Sequence, residues 1–151
     1  MKTYTPKAND IKRQWHVVDV SDQILGRIST EIALLLTGKN KSYFTAHLDC
    51  GDYVVVTNAD KIRITGTKME SKVYYHHSGY PGALKSATLK EKMEKDPRKV
   101  IEAAVKGMLP KNKLRDKRMR RLKVFTNATH PYNDKLQASQ DSKKSDSDIK
   151  Q

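Results

Sequence analysis

Four residues narrow the choice of fold more than any others. "YVVV", Tyr53 to Val56, is apolar on successive positions. Neighbouring side chains of a strand point to opposite faces, so this run has to be covered from both sides. A parallel sheet between other layers meets that demand. "WHVVDV" (Trp15 to Val20) is a second β-branched run, and it ends at the turn signal Ser21-Asp22. From Ile24 the period changes. Ile24, Ile28, Ile32, Leu35 and Leu36 fall on one helical face, with Gly38 at the position just past the helix end. Strand, tight turn, helix and strand in this order predict an α/β layered domain with a mainly parallel sheet. Right-handed crossovers would place helices on both of its faces.

Further along, "KIRIT" (Lys61 to Thr65) alternates and suits a short extension, and "KVYYHH" (Lys72 to His77) has strand propensity. "SGYPG" (Ser78 to Gly82) reads as a loop, because two Gly and a Pro break either pattern. Two helices are expected next. Thr88 with Glu91 makes a capping box for the first, whose apolar side is Leu89 and Met93. Asp96 caps the second with Pro97 in its first position, and its core face is Val100, Ile101, Ala104 and Val105. Gly107 is expected to end it, and "LKVF" (Leu122 to Phe125) to form the last strand. Residues 1–132 therefore predict a single domain. Residues 133–151 hold two scattered aliphatics and equal numbers of Lys and Asp. Such a segment buries too little to offset its ordering entropy, so a disordered tail is expected.

The 30 Lys and Arg against 17 Asp and Glu give a net charge of +13. Alone, that charge repels itself, and a polyanionic partner resolves the problem. The cations are spread along the chain rather than set on an aromatic-faced helix, which argues against a membrane surface. "MKTYTPKANDIKRQW" has no apolar run of the secretory kind, and Ile32 to Leu36 is too short to span a bilayer. A cytoplasmic protein is expected. Cys50 is the only cysteine, so an intramolecular disulfide and Cys₄ or Cys₂His₂ zinc sites are excluded.

The densest charge lies in "GMLPKNKLRDKRMRRLKVF" (Gly107 to Phe125). Lys111, Lys113, Arg115, Lys117, Arg118, Arg120, Arg121 and Lys123 stand there against one acid, Asp116. A solvated helix usually mixes signs to gain i,i+4 pairs, and this run does not. Phosphate contact is the expected role, with Lys106 just upstream. On this reading Arg118, Arg120, Arg121 and Lys123 can all be replaced by Gln without harm to the fold. Lys39 and Lys41, beside Tyr43 and Phe44, suit a backbone grip, although cations past a helix end also favour its dipole. Arg27, in the first turn of the first helix, can reach outward to an anion. Lys72, Tyr75, His76 and His77 lead into a Gly-rich turn that allows close approach to a sugar-phosphate chain. His76 and His77 are adjacent on a strand and point apart, so no metal site is expected. "HLDCGD" (His47 to Asp52) gathers a His, two Asp and a Cys, yet lacks a base–nucleophile–orienter pattern. It reads as a turn before the strand rather than as a catalytic site.

"WHVVDVSDQILGRIST", "GDYVVVTNADKIRITG", "KVYYHHSGYPG" and "RKVIEAAVKGMLPKNKLRDKRMRRLKVF", in this order, closely resemble the bacterial large-subunit ribosomal protein thirteen family. The resemblance extends to about His130 and leaves out residues 133–151. It implies a three-layer α/β/α domain with a four-stranded parallel sheet of order 3-2-1-4. It also implies binding to large-subunit ribosomal RNA early in assembly, ribosomal proteins as neighbours, and no enzymatic activity, cofactor or small-molecule substrate. The rival readings are a free RNA- or DNA-binding regulator and, further off, a nucleic-acid-processing enzyme.

Overall fold

The computed structural model describes residues 5–137. Three strands form a parallel sheet: β1 (Trp15–Asp19), β2 (Tyr53–Thr57) and β5 (Leu122–Val124), with β2 in the centre. The register pairs Trp15 with Tyr53 through Asp19 with Thr57, and Val54 with Leu122 through Val56 with Val124. As its unbroken apolar run demands, β2 is buried at Val54, Val55 and Val56. Between β1 and β2 lies α1 (Leu25–Thr37), which ends on Gly38 in the left-handed conformation. The rest of the chain forms α2 (Lys68–Ser71), an antiparallel pair of β3 (Val73–His77) and β4 (Leu84–Thr88), then α3 (Leu89–Lys95), α4 (Pro97–Met108) and α5 (Arg115–Arg120).

Alternate strand residues separate the two faces of the sheet. Val18, Val20, Val54, Val56, Leu122 and Val124 join one cluster with Ile28, Ile32 and Leu36 of α1 and Val100, Ile101 and Val105 of α4. The opposite face is partly covered by aromatic rings, with Val17 left exposed. Trp15 stacks on Tyr53 with centroids 4.4 Å apart, and Tyr132 stacks on Trp15 at 5.1 Å. Phe125 leans on Tyr132 and His130.

Several expectations need correction. Three layers with helices on both faces were expected, but α1 and α4 pack together against one face, and residues 125–132 supply the rings over the other. The parallel sheet has three strands among the described residues. Lys61 to Thr65 makes a single parallel bridge, Ile24 to Arg63, rather than a strand. The β4 strand was not anticipated, because Leu84–Thr88 carries only moderate strand formers and gains its place by pairing with β3. Gly107 lies inside α4, which runs one residue further. Of the expected tail, residues 133–137 are helical, with Lys135 Nζ 5.2 Å from the Trp15 ring centroid. Residues 138–151 lie outside the described range. Among the described residues no helix is long and apolar enough to cross a membrane.

The helix starts follow the sequence closely. Thr88 Oγ1 accepts from the Glu91 N–H at 3.3 Å, and the Glu91 carboxylate accepts from the Thr88 N–H at 3.1 Å. Asp96 accepts from the Arg98 N–H at 3.2 Å, with Pro97 following it. Thr88→Ala removes the acceptor of the Glu91 N–H and leaves the reciprocal backbone bond to the Glu91 carboxylate in place. We expect it to cost about 1 kcal/mol, read as a lowered denaturant midpoint at unchanged m-value.

Candidate nucleic-acid interface

The basic run does not act as one surface. Lys111, Lys113, Lys117 and Arg120 are exposed, as is Lys106 of α4, while Arg115 and Lys123 are half-buried. Arg118 and Arg121 are buried, Arg118 to 1% exposure. A short helix with α1 and α4 beside it has an inner side, and in α5 the register assigns that side to these two guanidiniums. Placing them among the outward phosphate contacts was therefore wrong.

Their partner is Asp49, from the "HLDCGD" window. Arg121 grips both Asp49 oxygens, with Nη2 at 2.6 Å from Oδ1 and Nη1 on Oδ2. Its Nε donates to the Asp52 carbonyl and Nη2 to that of Leu36. Arg118 Nε lies 3.5 Å from Asp49 Oδ1, and Arg13 approaches the same carboxylate at 3.8 Å. Burial pushes the Asp49 carboxyl up. The hydrogen bonds from Arg121 and the charges of Arg121, Arg13 and Arg118 outweigh that effect and hold it below its usual 3.8.

A second ionic centre forms at Asp52, three residues on. Its carboxylate takes Lys41 Nζ and the Gln14 N–H on Oδ1 and His16 Nε2 at 3.0 Å on Oδ2. Burial again pushes the carboxyl up, and the bonds from His16, Lys41 and Gln14 bring it below 3.8. Lys41 Nζ also donates to the Lys12 carbonyl at 2.8 Å, where the Tyr43 hydroxyl joins it. Lys41 thus ties the loop after α1 to the segment leading into β1. This removes it from the outward set, while Lys39 stays exposed. Sequence reasoning missed His16, Asp49 and Asp52 as an internal ionic core, with the exposed Arg13 at its edge. The readable signal was two acids set around a buried Cys50, directly before a strand with no polar face to solvent.

The outward cations fall into grooves between elements. Arg63, Lys68 and Lys72 rim a hollow at the start of α1, beside Gly26 and close in sequence to the exposed Arg27. Lys39 and Pro110 line a second, between α1 and the end of α4. Lys106 and Arg120 share a third between α4 and α5 with Lys99 and two acids, Glu102 and Asp116. Arg63, Lys68 and Lys99 were not foreseen, because each stands alone in sequence and only the fold groups them. Tyr75, His76 and His77 are exposed on the β3–β4 hairpin. Tyr75 and His77 share one face and His76 takes the other, as expected for neighbours on a strand. Lys123 lies on the ring-covered face of the sheet, level with Val55.

The result is a small α/β body in which Asp49 and Asp52 are tied to internal cations and a further set of cations is turned out along grooves, with no cluster of His, Cys and acids able to hold a metal among the described residues. Comparison with known proteins makes this specific. The family described as ribosomal protein L13 matches residues 13–131, and the chain belongs to that family. A Legionella pneumophila (strain Corby) protein named large ribosomal subunit protein uL13 is 52% identical over 132 residues, 87% of this chain and 92% of the relative. Proteins of the same name from Maridesulfovibrio salexigens and Kocuria rhizophila are 54% and 51% identical over 132 residues. Each comparison covers 87% of this chain, and 93% and 90% of the relative.

Proposed function

We propose that this chain is a structural constituent of the large ribosomal subunit, that it binds large-subunit ribosomal RNA, and that it joins the subunit early in assembly. The observation that carries this reading is membership of the ribosomal protein L13 family, at about half identity across 87% of the chain. Its relatives bear the name of a large-subunit protein, and catalysis is not the family's task. The partners on this reading are ribosomal RNA and neighbouring large-subunit proteins, in the cytoplasm. Residues 1–132 serve as the single RNA-binding domain. The contact surface comprises Arg27, Lys39, Lys72, Lys106, Lys111, Lys113, Lys117 and Arg120, with Arg115 and Lys123 at its margin. Supporting it, none of the exposed members forms an ion pair with an acid among the described residues.

The finer architecture belongs to the same reading. Taken from one edge, the strands run β5-β2-β1, which is the 3-2-1 part of the family's order. The fourth strand of that order, beside β1, has no counterpart among the described residues.

Binding of the full chain to in vitro transcribed large-subunit ribosomal RNA, measured across a salt series, tests the contact surface. Lys113→Gln, Lys117→Gln and Arg120→Gln together should weaken binding. They should also make the plot of log affinity against log salt shallower, by roughly 0.7–0.9 for each phosphate no longer neutralised. Unchanged affinity and slope would return these side chains to a solvated face. Loss of the wild-type protein from large subunits during a salt-washed sucrose gradient would instead favour a free regulator.

A further inference from the structure

The β3–β4 hairpin stands apart from the rest of the cationic surface in one respect. Strand alternation and the pairing of Tyr75 with Ser86 and His77 with Leu84 place Val73, Tyr75, His77, Leu84 and Ser86 on one face. That face carries no Lys and no Arg. Tyr75 is 69% exposed and Leu84 60%. The opposite face turns Tyr74 toward α3, where Lys92 Nζ sits 3.9 Å from its ring centroid, and carries His76 opposite Lys85. The hairpin is thus anchored by one face and leaves an aromatic and aliphatic stripe in water. An isolated two-stranded ribbon gains little stability from exposing such residues, so the stripe has a partner to meet.

The loop is built to hold a further ring at the tip. Tyr80, Pro81, Gly82 and Ala83 form a turn closed by the Ala83 N–H on the Tyr80 carbonyl at 3.1 Å. Pro81 in the second position and Gly82 at φ +72° in the third are the signature of a type II turn. The Gly79 N–H donates to His77 Nδ1 at 2.9 Å, which fixes that imidazole and keeps its proton on Nε2. Tyr80 emerges 75% exposed. A ring presented from a locked turn loses little freedom on binding.

We infer that this hairpin face takes unpaired RNA bases by stacking on Tyr75 and Tyr80, rather than gripping phosphates; the inference rests on the ribosomal reading above. Charge complementarity selects RNA as the occupant. Between Glu70 and Glu91 the chain holds Lys72, Lys85 and Lys90 and no acid, so the hairpin's surroundings attract a polyanion while its outer face has no Lys or Arg to grip phosphate. Aromatic platforms flanked by cations are how unpaired bases are held with little sequence preference.

The test compares three full-length chains on large-subunit ribosomal RNA across a salt series: wild type, Tyr75→Ala with Tyr80→Ala, and Tyr75→Phe with Tyr80→Phe. Both rings are exposed, so neither pair opens a cavity, and thermal midpoints verify that each chain is folded. The Ala pair should lose roughly 5- to 150-fold in affinity for each base unstacked, with the salt slope unchanged, because counterion release is the same. The Phe pair should bind like wild type, since stacking needs the ring and not the hydroxyl. Wild-type affinity in the Ala pair, a fall in slope, or a Phe pair as weak as the Ala pair would each overturn the inference. So would normal RNA affinity in an Ala pair that fails to enter large subunits, which would assign the face to a neighbouring protein. Failure of the wild-type chain to bind the RNA at all would defeat the ribosomal RNA reading itself, a separable result.

Discussion

Gly51→Ala should prevent the domain from reaching its native structure. A Cβ at that position would stand 1.8 Å from the Leu36 carbonyl oxygen and 2.5 Å from its carbon, with Arg121 Nη2 at 3.0 Å. The first two are backbone atoms in the last turn of α1, and they cannot rotate aside. The surrounding backbone leaves no slack. The Asp52 N–H bonds the Leu35 carbonyl at 3.1 Å, and a Cβ on Gly38 would meet the Cys50 carbonyl oxygen at 2.6 Å. The end of α1 and the chain entering β2 are therefore pressed backbone to backbone, and the ionic core lies directly beside the seam. Relieving the clash means moving α1 off the sheet or withdrawing the Asp49–Arg121 pair. Either costs more than the roughly 4–5 kcal/mol that marks an exceptional substitution, against a total domain stability of about 5–15 kcal/mol. Gly26→Ala is the control. It lies within α1 with open space where its Cβ would go, and the gain in helix propensity should raise stability by about 0.5–1 kcal/mol. Soluble yield and circular-dichroism melts of the two variants give opposite signs on this account. A cooperative, near-wild-type melt of Gly51→Ala would show that the seam can open.

The seam also shows where sequence stops informing. Patterns within one element were legible. The burial of Val54 to Val56, the helix end at Gly38, the Thr88–Glu91 box and the Asp96-Pro97 start each depend on residues within a few positions, and each was found where expected. The β4 strand depends on a partner strand across the Gly-rich loop, and its own residues barely announce it. The candidate site was legible by total charge but not by direction. Nothing local separates Lys117, which faces water, from Arg118, which faces Asp49. Helical phase decides it, and phase is set by which side of a short helix meets α1 and α4. Lys41 was misjudged for the same reason, because its carboxylate partner arrives later in the chain, in a buried turn. Acids that looked like a weak catalytic cluster proved to be the counter-charges of cations assigned to RNA.

That pairing leads to a prediction with opposite signs at neighbouring residues. Asp49→Ala leaves Arg118 and Arg121 in the interior without their counter-charge, and should destabilise the domain by about 3–5 kcal/mol. Arg118→Met should do the reverse. Its Nε and Nη1 are buried without a hydrogen-bond partner, and its Nε meets Asp49 only at 3.5 Å. With Arg118 gone, Asp49 keeps both bonds from Arg121 and the nearby charge of Arg13. An unbranched apolar side chain of similar length fills the same space beside α1 and α4. Removing a buried cation with two N–H groups left without hydrogen bonds should gain about 1–3 kcal/mol, a rise of roughly 3–10 °C in thermal midpoint for a domain of this size. The two variants also separate under acid. Asp49 is held below 3.8 in the folded protein, so its contribution is fully present above the unfolded value and is lost as pH falls through the depressed folded one. Asp52 titrates in the same direction and window. Wild type and Arg118→Met should therefore both lose stability on acidification below about pH 4. In Asp49→Ala that loss should be smaller, because Asp49 no longer adds to it, while Asp52, Asp19 and Asp96, all held below 3.8, still do. Urea midpoints taken from neutral pH down into the acid range measure all three curves. An Arg118→Met chain less stable than wild type would mean that the second guanidinium is needed to hold Asp49. The quadruple replacement of Arg118, Arg120, Arg121 and Lys123 by Gln would then unfold the domain through both arginines. If Arg118→Met is stabilising, its damage should come from Arg121.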